Sequence, residues 1–512
     1  MKLRVTENNR FIRLYEASEI ELDQLKFSLK KRIRGWFYNP LVKRKLWDGS
    51  ISFFKDGYIP IGLWNEIYKL GDTFGFDVEI DGLERIIDVN FDEQGFRDWV
   101  EKHFSDHPKF KPPSFPADDP FRIRDYQVES AISILKNRLT TSEIATSSGK
   151  TLITFLVYGY LKSVGKLNKI LVIVPNTTLV LQLNDDFEEY NNGKIPMKIR
   201  MVYGGVKDND PSANVIVGTF HSLTRKNIEY YRGVDVVCVD EAHQAKTTSI
   251  KNVLEKCKDS KIRFGLSGTL LIDESADYYT ITSLLGPIVN TITPRFLFKE
   301  GFATPVKVKI IKLNYLTDEL REKLWLLKKG KQMEGSQLLN LEKNIVIQNK
   351  ARFNFIVDLI CKTSKNTLVM FSNIKDHYGK RLYDAIRDRS DKVCYYVDGS
   401  VGKDHREYYK KDMETGENKI LVASFTTFST GISIKNVHNI FLVESYKSEI
   451  IVKQTIGRGM RLLPGKEAVN IIDIVDDFSY EKHDNYLLKH GKARLEFYKQ
   501  YTSAISLYPI TL

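Results

Sequence analysis

No apolar run in this sequence approaches the roughly 20 residues that a membrane-spanning helix needs. The start, Met1-Lys2-Leu3-Arg4, leads into polar residues and has no signal-peptide core. Cysteine is scarce. The four (Cys238, Cys257, Cys361 and Cys394) are scattered without metal spacing, which excludes a disulfide framework and a zinc site and predicts a reduced, cytoplasmic protein with no membrane partner. The nine histidines form no metal cluster either. Acidic residues are absent between Asp23 and Asp48, where Lys26, Lys30, Lys31, Arg32, Arg34, Lys43, Arg44 and Lys45 crowd together. Proline is sparse except in one place: five of fifteen fall between Pro108 and Pro120.

The 512 residues are enough for about three domains. Lys plus Arg total 77 against 65 Asp plus Glu, a formal charge of +12 that suits a polyanionic partner. Residues 1–107 read as a small basic α+β domain. Trp36, Phe37, Tyr38 and Trp47 are interleaved with its cations. The charges suit phosphate and the rings suit bases, although the rings serve equally well as a domain core. Residues 108–120 read as a stiff Pro-rich linker joining this separate footprint to the rest.

From residue 121 to about 300, apolar runs alternate with helical sequence, at Thr140 to Ala145, Ile170 to Val174, Val215 to Val217, Val234 to Val239 and Ile262 to Leu266. Buried runs of this kind predict a parallel, doubly wound sheet. The alternation restarts over 301–480, at Thr367 to Phe371, Val393 to Val397, Ile420 to Ala423, Ile440 to Val443 and Val469 to Val475. The expected class is α/β, with two such lobes. Asp318 to Lys350 is charged and helical, an insertion or a connector, and 481–512 reads as a C-terminal helical extension.

Two motifs carry chemistry. Ser147-Ser148-Gly149-Lys150-Thr151 follows a strand and opens a helix. Backbone N–H groups there would cradle phosphates, Lys150 would reach the β- and γ-phosphates, and the Thr151 hydroxyl would hold Mg²⁺. The loop has Ile144 where the full pattern wants glycine. Ninety residues on, Asp240-Glu241-Ala242-His243 ends another strand. Asp240 would hold the Mg²⁺, and Glu241 would orient and deprotonate water. Together they predict hydrolysis of a nucleoside triphosphate. Gln127 lies upstream, and its amide suits an adenine edge. In the second lobe, Arg458 and Arg461 are three apart, on one face of a helix, and would complete the site.

These stretches resemble the motifs of superfamily 2 helicases, in order. Arg124 to Gln127 resembles the adenine-reading motif, Ser147 to Thr151 motif I, Val174 to Leu179 motif Ia, and Gly218-Thr219-Phe220 the next strand-contacting motif. Asp240 to His243 resembles motif II, Ser267-Gly268-Thr269 motif III, and Phe371-Ser372 motif IV. Ser429 to Ser433 and Gln454 to Arg461 resemble motifs V and VI. The resemblance implies two RecA-like lobes with ATP and Mg²⁺ between them. It places Arg124, His243 and Gln454 with the nucleotide, and Pro175, Thr219, Thr269 and Thr430 along a single strand or coupled to it. Lys43, Arg44 and Lys45 remain the electrostatic candidates for DNA.

The N-terminal stretch from Phe37-Tyr38-Asn39-Pro40 through Trp47 to Ser50 and Ile59 to Leu63 is similar to that of phage UvsW-type recombination helicases. Membership there implies 3′-to-5′ unwinding and branch migration of forked DNA, Holliday junctions and R-loops. It also implies a monomer in the host cytoplasm, with single-strand-binding or recombination proteins as candidate partners. Ser433, where many relatives carry Asp, removes a direct ribose contact from that expectation. The rival readings are a duplex translocase or restriction-type motor without strand separation, and an ATP-gated nucleic-acid clamp.

Overall fold

The computed structural model describes residues 1–512 except 117, 118, 120, 207–209, 271–274, 331, 334, 373–376, 426, 428–433, 447 and 448; for 403, 449–451, 454 and 458 it describes the backbone alone. The chain divides into two compact units, Met1–Ile292 and Thr293–Leu512.

The first unit is built on a seven-stranded parallel sheet. Its order is Ile288–Ile292, Leu139–Ile144, Ile262–Ser267, Val234–Asp240, Lys169–Val174, Val215–Thr219, Ile199–Val202. Helices cover the sheet, as continuous Val/Ile/Leu strands require when both faces are dry. The register sets Ser267 beside Glu143 and Asp240 beside Leu266. Three neighbouring strands therefore end together, and the loops at 145–149, 241–245 and 267–269 share one edge.

A four-stranded sheet (Tyr58–Pro60, Phe11–Glu16, Lys2–Val5, Glu79–Asp81) forms the N-terminal part, with a separate hairpin of Lys30–Arg32 and Ser50–Ser52. Strand Lys2–Val5 alternates outward Lys2 and Arg4 with inward Leu3 and Val5. Its core is shared with the first lobe, because Leu139, Ala276 and Tyr279 pack into the same cluster as Ile12, Ile59 and Ile67. Tyr279 donates from its hydroxyl to Glu66. Helix Glu93–Phe104 lays Phe96 and Trp99 against Tyr160 of the helix that follows the phosphate loop. The separate footprint expected on a stiff connector is thus docked on the lobe. The proline-rich segment is tied down as well: His103 and His107 donate from Nε2 to the carbonyls of Tyr190 and Glu189, and Lys111 pairs with Arg122. Pro120 lies outside the described residues.

The second unit holds another seven-stranded parallel sheet, ordered Cys394–Val397, Ile420–Ser424, Thr367–Phe371, Asn439–Leu442, Val469–Asp476, Val306–Asn314, Ile505–Thr511. The last strand corrects the expectation of a purely helical C-terminal extension. Helix Tyr486–Tyr501 is followed by Ile505–Thr511, which pairs parallel with Val306–Asn314 and forms the sheet edge. Two buried arginines hold this unit together. Arg352 donates to Asp476, Tyr378 and the Val443 carbonyl. Arg494 forms a two-point pair with Asp473 and donates to the Tyr446 carbonyl. The 318–350 stretch has a definite job within the unit: buried Glu342 accepts from the backbone N–H groups of Tyr486 and Leu487, capping the C-terminal helix. Among the described residues no helix is long and apolar enough to cross a membrane.

Candidate active site

The phosphate-type loop turns on two left-handed residues, Ser147 at φ 72° and Gly149 at φ 85°. The serine holds this conformation at a cost of about 1–2 kcal/mol that glycine would not incur, a strain of the kind that collects at functional sites. The Ser148 carbonyl accepts from the Tyr126 hydroxyl and from Gln127 Nε2, both at 2.8 Å, and Ser148 Oγ donates to the Ala145 carbonyl at 2.6 Å. Gln127 Oε1 in turn accepts from the backbone N–H of Arg124 at 2.9 Å. The Gln127 amide, expected to face an adenine edge, here bridges the start of its helix to the phosphate loop. Helix Lys150–Ser163 then begins with Lys150 and Thr151 in its first turn.

Strand Val234–Asp240 delivers the acidic pair. Glu241 sits at φ 55°, another left-handed non-glycine residue. Asp240 Oδ1 accepts from the Glu241 N–H at 3.0 Å. Lys150 Nζ lies 3.4 Å from Glu241 Oε1, and His243 Nδ1 lies 3.4 Å from Glu241 Oε2. The same His243 nitrogen is 2.9 Å from Ser267 Oγ and 3.1 Å from Thr269 Oγ1. A continuous polar chain therefore runs from the phosphate loop through the acidic pair to the end of the neighbouring strand.

Burial pushes the Asp240 carboxyl above its usual range, with Lys150 opposing. Burial acts the same way on Glu241, but Lys150 and His243 outweigh it and hold that carboxyl below its usual range. Two adjacent carboxylates thus share one lysine. That shortage of positive charge, with the hard oxygen of Asp240 and a hydroxyl at Thr151, fits a divalent cation such as Mg²⁺. Among the described residues no group of three or more His, Cys, Asp or Glu could enclose a metal. Mg²⁺ takes one or two carboxylates and completes its shell with phosphate and water.

The other expected residues separate into groups. Thr269 is 2% exposed, and its hydroxyl lies within hydrogen-bond distance of His243 instead of on the surface. Thr219 is buried and caps helix Phe220–Thr224, accepting from the Ser222 N–H. Pro175 is half-buried, just before the Asn176 cap of helix Thr177–Asn191. Lys43, Arg44 and Lys45 are exposed. Thr430 lies outside the described residues, as do the side chains of Gln454 and Arg458. Helix Glu449–Gly459 stops before Arg461. The expected placement of Arg458 and Arg461 on one helical face therefore does not hold: Arg461 lies two residues past the helix end, where its carbonyl accepts from Thr304 Oγ1. Sequence reasoning gave no role to Tyr126 or Ser267. Both stand inside stretches already singled out, and that was the available signal.

A family model described as "Type III restriction enzyme, res subunit" matches residues 120–272, and one described as "Helicase conserved C-terminal domain" matches 351–462. The chain is 32% identical over 487 residues to the ATP-dependent DNA helicase uvsW of Enterobacteria phage T4, covering 91% of this chain and 90% of that protein. It is 22% identical to the DNA 3′-5′ translocase XPB2 of Sulfurisphaera tokodaii, over 70% of this chain and 82% of the relative. Among solved structures, a fragment of an HsdR subunit of a type I restriction enzyme from Vibrio vulnificus shares the fold, with a TM-score of 0.54 and 20% identity over 76% of this chain and 68% of that one. Two RecA-like lobes, the two family matches and the extent of the T4 similarity agree: the chain belongs to the superfamily 2 helicases and, within them, to the UvsW-type ATP-dependent DNA helicases.

Proposed function

We propose that this protein uses ATP to unwind and branch-migrate forked DNA, four-way junctions and R-loops, moving 3′ to 5′ as a monomer in the cytoplasm of a phage-infected host. The observation that carries the motor reading is the polar chain Lys150–Glu241–His243–Thr269, which joins a phosphate loop to a neighbouring strand end. In this reading Lys150 meets the β- and γ-phosphates, and Glu241 takes the proton of the attacking water. His243 and Thr269 hold that carboxylate and transmit its state. Thr151 and Asp240 would hold Mg²⁺, which supplies charge neutralisation at the phosphates. Arg124 and Gln127 support the loop on the nucleotide side; Gln454, Arg458 and Arg461 act from the second lobe. Polarity draws support from the name of the Sulfurisphaera tokodaii relative.

The test is strand displacement with ATP and Mg²⁺ on forks tailed on either strand, four-way junctions, R-loops and RNA duplexes. Displacement of the branched DNAs, with forks opened from the 3′ tail only, is the expected result. The restriction-subunit match over 120–272 favours one rival, a duplex translocase that does not separate strands. ATP-driven triplex displacement without any unwinding would establish that rival instead.

A further inference from the structure

Past the end of helix Glu449–Gly459 the chain runs through Met460 and Arg461 and reverses at Leu463-Pro464-Gly465-Lys466. The Lys466 N–H donates to the Leu463 carbonyl at 3.0 Å, and Gly465 sits at φ 78°. Proline at the second position and a left-handed glycine at the third are what a type II turn asks for. The reversal returns Lys466 to the helix the chain has just left. Its Nζ donates to the Gly459 carbonyl at 2.6 Å and to the Lys435 carbonyl at 2.9 Å, and lies 3.5 Å from the Arg461 carbonyl.

A lysine that caps a helix end ordinarily does so from the surface, with its ammonium in water. Lys466 is 7% exposed, and among the described residues its ammonium meets carbonyl oxygens and no carboxylate. Burial pushes it down to about 8, and the positive charge of Arg461 acts in the same direction. An interior cation without a counter-charge is destabilising, and for filling space alone a methionine would serve better. What the charge provides is fixed backbone. Gly459 and Arg461 belong to the Gln454 to Arg461 stretch, whereas Lys435 stands two residues after the Ser429 to Ser433 stretch.

The same corner is held from another side. Thr304, 1% exposed, donates from its N–H to the Met460 carbonyl at 2.8 Å and from Oγ1 to the Arg461 carbonyl at 3.0 Å. Gly459 is backed by Ile440 and Val469, whose nearest atoms stand 2.8 and 3.2 Å from where its Cβ would be. Every carbonyl from Gly459 to Arg461 is therefore taken, and the backbone from which the Arg461 side chain departs is pinned at each peptide.

We propose that Lys466 is a positioning residue for Arg461: it fixes the backbone that carries this arginine and holds it in register with the chain that leaves the Ser429 to Ser433 stretch. This rests on the reading above in which Arg461 acts from the second lobe. Lys466 itself meets no nucleotide.

The test measures DNA-stimulated ATP hydrolysis, and binding of a fluorescent ADP analogue, for the full-length parent, Lys466→Met, Arg461→Ala and the double variant. Lys466→Met keeps the side chain's length and removes its charge. Its kcat should fall by about 10- to 100-fold, the scale of loss when a group that must meet a transition state is displaced by an ångström or less. KM for ATP and affinity for the ADP analogue should change little, because the arginine's contact forms mainly in the transition state. The double variant should be no slower than Arg461→Ala, since nothing is then left to position. Thr304→Val, which removes only the Oγ1 donor, should show a smaller loss of the same kind, in kcat and not in KM. Parent-like kcat in Lys466→Met would overturn the proposal. So would a double variant slower than Arg461→Ala by the full Lys466→Met factor, which would make Lys466 a cap that serves only the fold. Should Lys466→Met fail to fold, unchanged turnover in folded Thr304→Val overturns it instead. If Arg461→Ala itself turns over ATP as the parent does, this proposal falls together with the reading of Arg461; if Arg461→Ala is slow while Lys466→Met and Thr304→Val are not, it falls alone.

Discussion

Lys150→Ala separates a catalytic lysine from a structural one. Its ammonium is 3.4 Å from Glu241, with both side chains about one-sixth exposed (14% and 16%). A pair that water still reaches contributes about 1 kcal/mol or less to folding. Removing the lysine also lifts the carboxyls of Asp240 and Glu241, since it is the cation opposing their burial. The folded state can accept this by protonating one of two adjacent acids, which caps the stability loss. Catalysis has no such escape. A preorganised charge facing phosphates that gain charge in the transition state contributes about 3–4 kcal/mol, or roughly 10²–10³-fold. DNA-stimulated ATP hydrolysis should therefore fall at least 100-fold in Lys150→Ala, while the melting temperature and DNA affinity stay near the parent values. Glu241→Gln, which keeps the shape and removes the base, should match it. ATPase activity near that of the parent in a normally folded Lys150→Ala protein would refute the assignment of this loop.

Three further outcomes follow from the geometry. Gly149→Ala places a methyl 2.3 Å from Gln127 Nε2 at φ 85°; nucleotide affinity should drop, at a stability cost of about 1–2 kcal/mol seen in thermal melting. Arg494→Met leaves buried Asp473 without its cation and should cost about 3–5 kcal/mol in urea denaturation, whereas Arg494→Met/Asp473→Leu should recover much of it. Burial lowers His103 to about 4, so the unfolded chain, near 6.5, takes up that proton first as pH falls. Stability should be full above pH 6.5 and decline towards pH 4, by up to about 2–3 kcal/mol from this group; His103→Gln should flatten that limb of a stability–pH curve.

Most of the strands legible in the sequence are those buried on both faces; the edge strand Cys394–Val397 is the exception. Runs such as Ile170 to Val174 and Val234 to Val239 have every apolar side chain in contact with something, so composition alone betrays them. Those missed in the two seven-stranded sheets, Ile199–Val202, Ile288–Ile292, Val306–Asn314 and Ile505–Thr511, lie at or next to sheet edges. There one face is wet, and Val306–Asn314 alternates lysine with valine and isoleucine accordingly. The site divides in a similar way. Strand ends carrying Lys150, Asp240 and Glu241 follow from local pattern, but the contacts of His243 with Ser267 and of Tyr126 with Ser148 join segments more than 20 residues apart. Arg461 belongs to the same local motif as Arg458, but the helix that carries Arg458 ends at Gly459, two residues before it.

The docking of the N-terminal part changes how its role can be tested. Gly62 packs so closely on helix Ala276–Leu285 that a Cβ would lie 2.0 Å from the Thr282 carbonyl oxygen, and a Cβ on Gly159 would lie 2.8 Å from the Trp99 ring. Gly159 belongs to the helix whose first residue is Lys150. Deleting residues 1–107 would therefore uncover Tyr279, Ala276 and Leu139 on one side and strip Phe96 and Trp99 from Tyr160 on the other. Loss of ATPase activity in such a truncation would say nothing about DNA recognition, because the helix that presents Lys150 would have lost its packing. Substitutions at Lys43, Arg44 and Lys45 avoid this, since exposed side chains can be removed without opening the shared core.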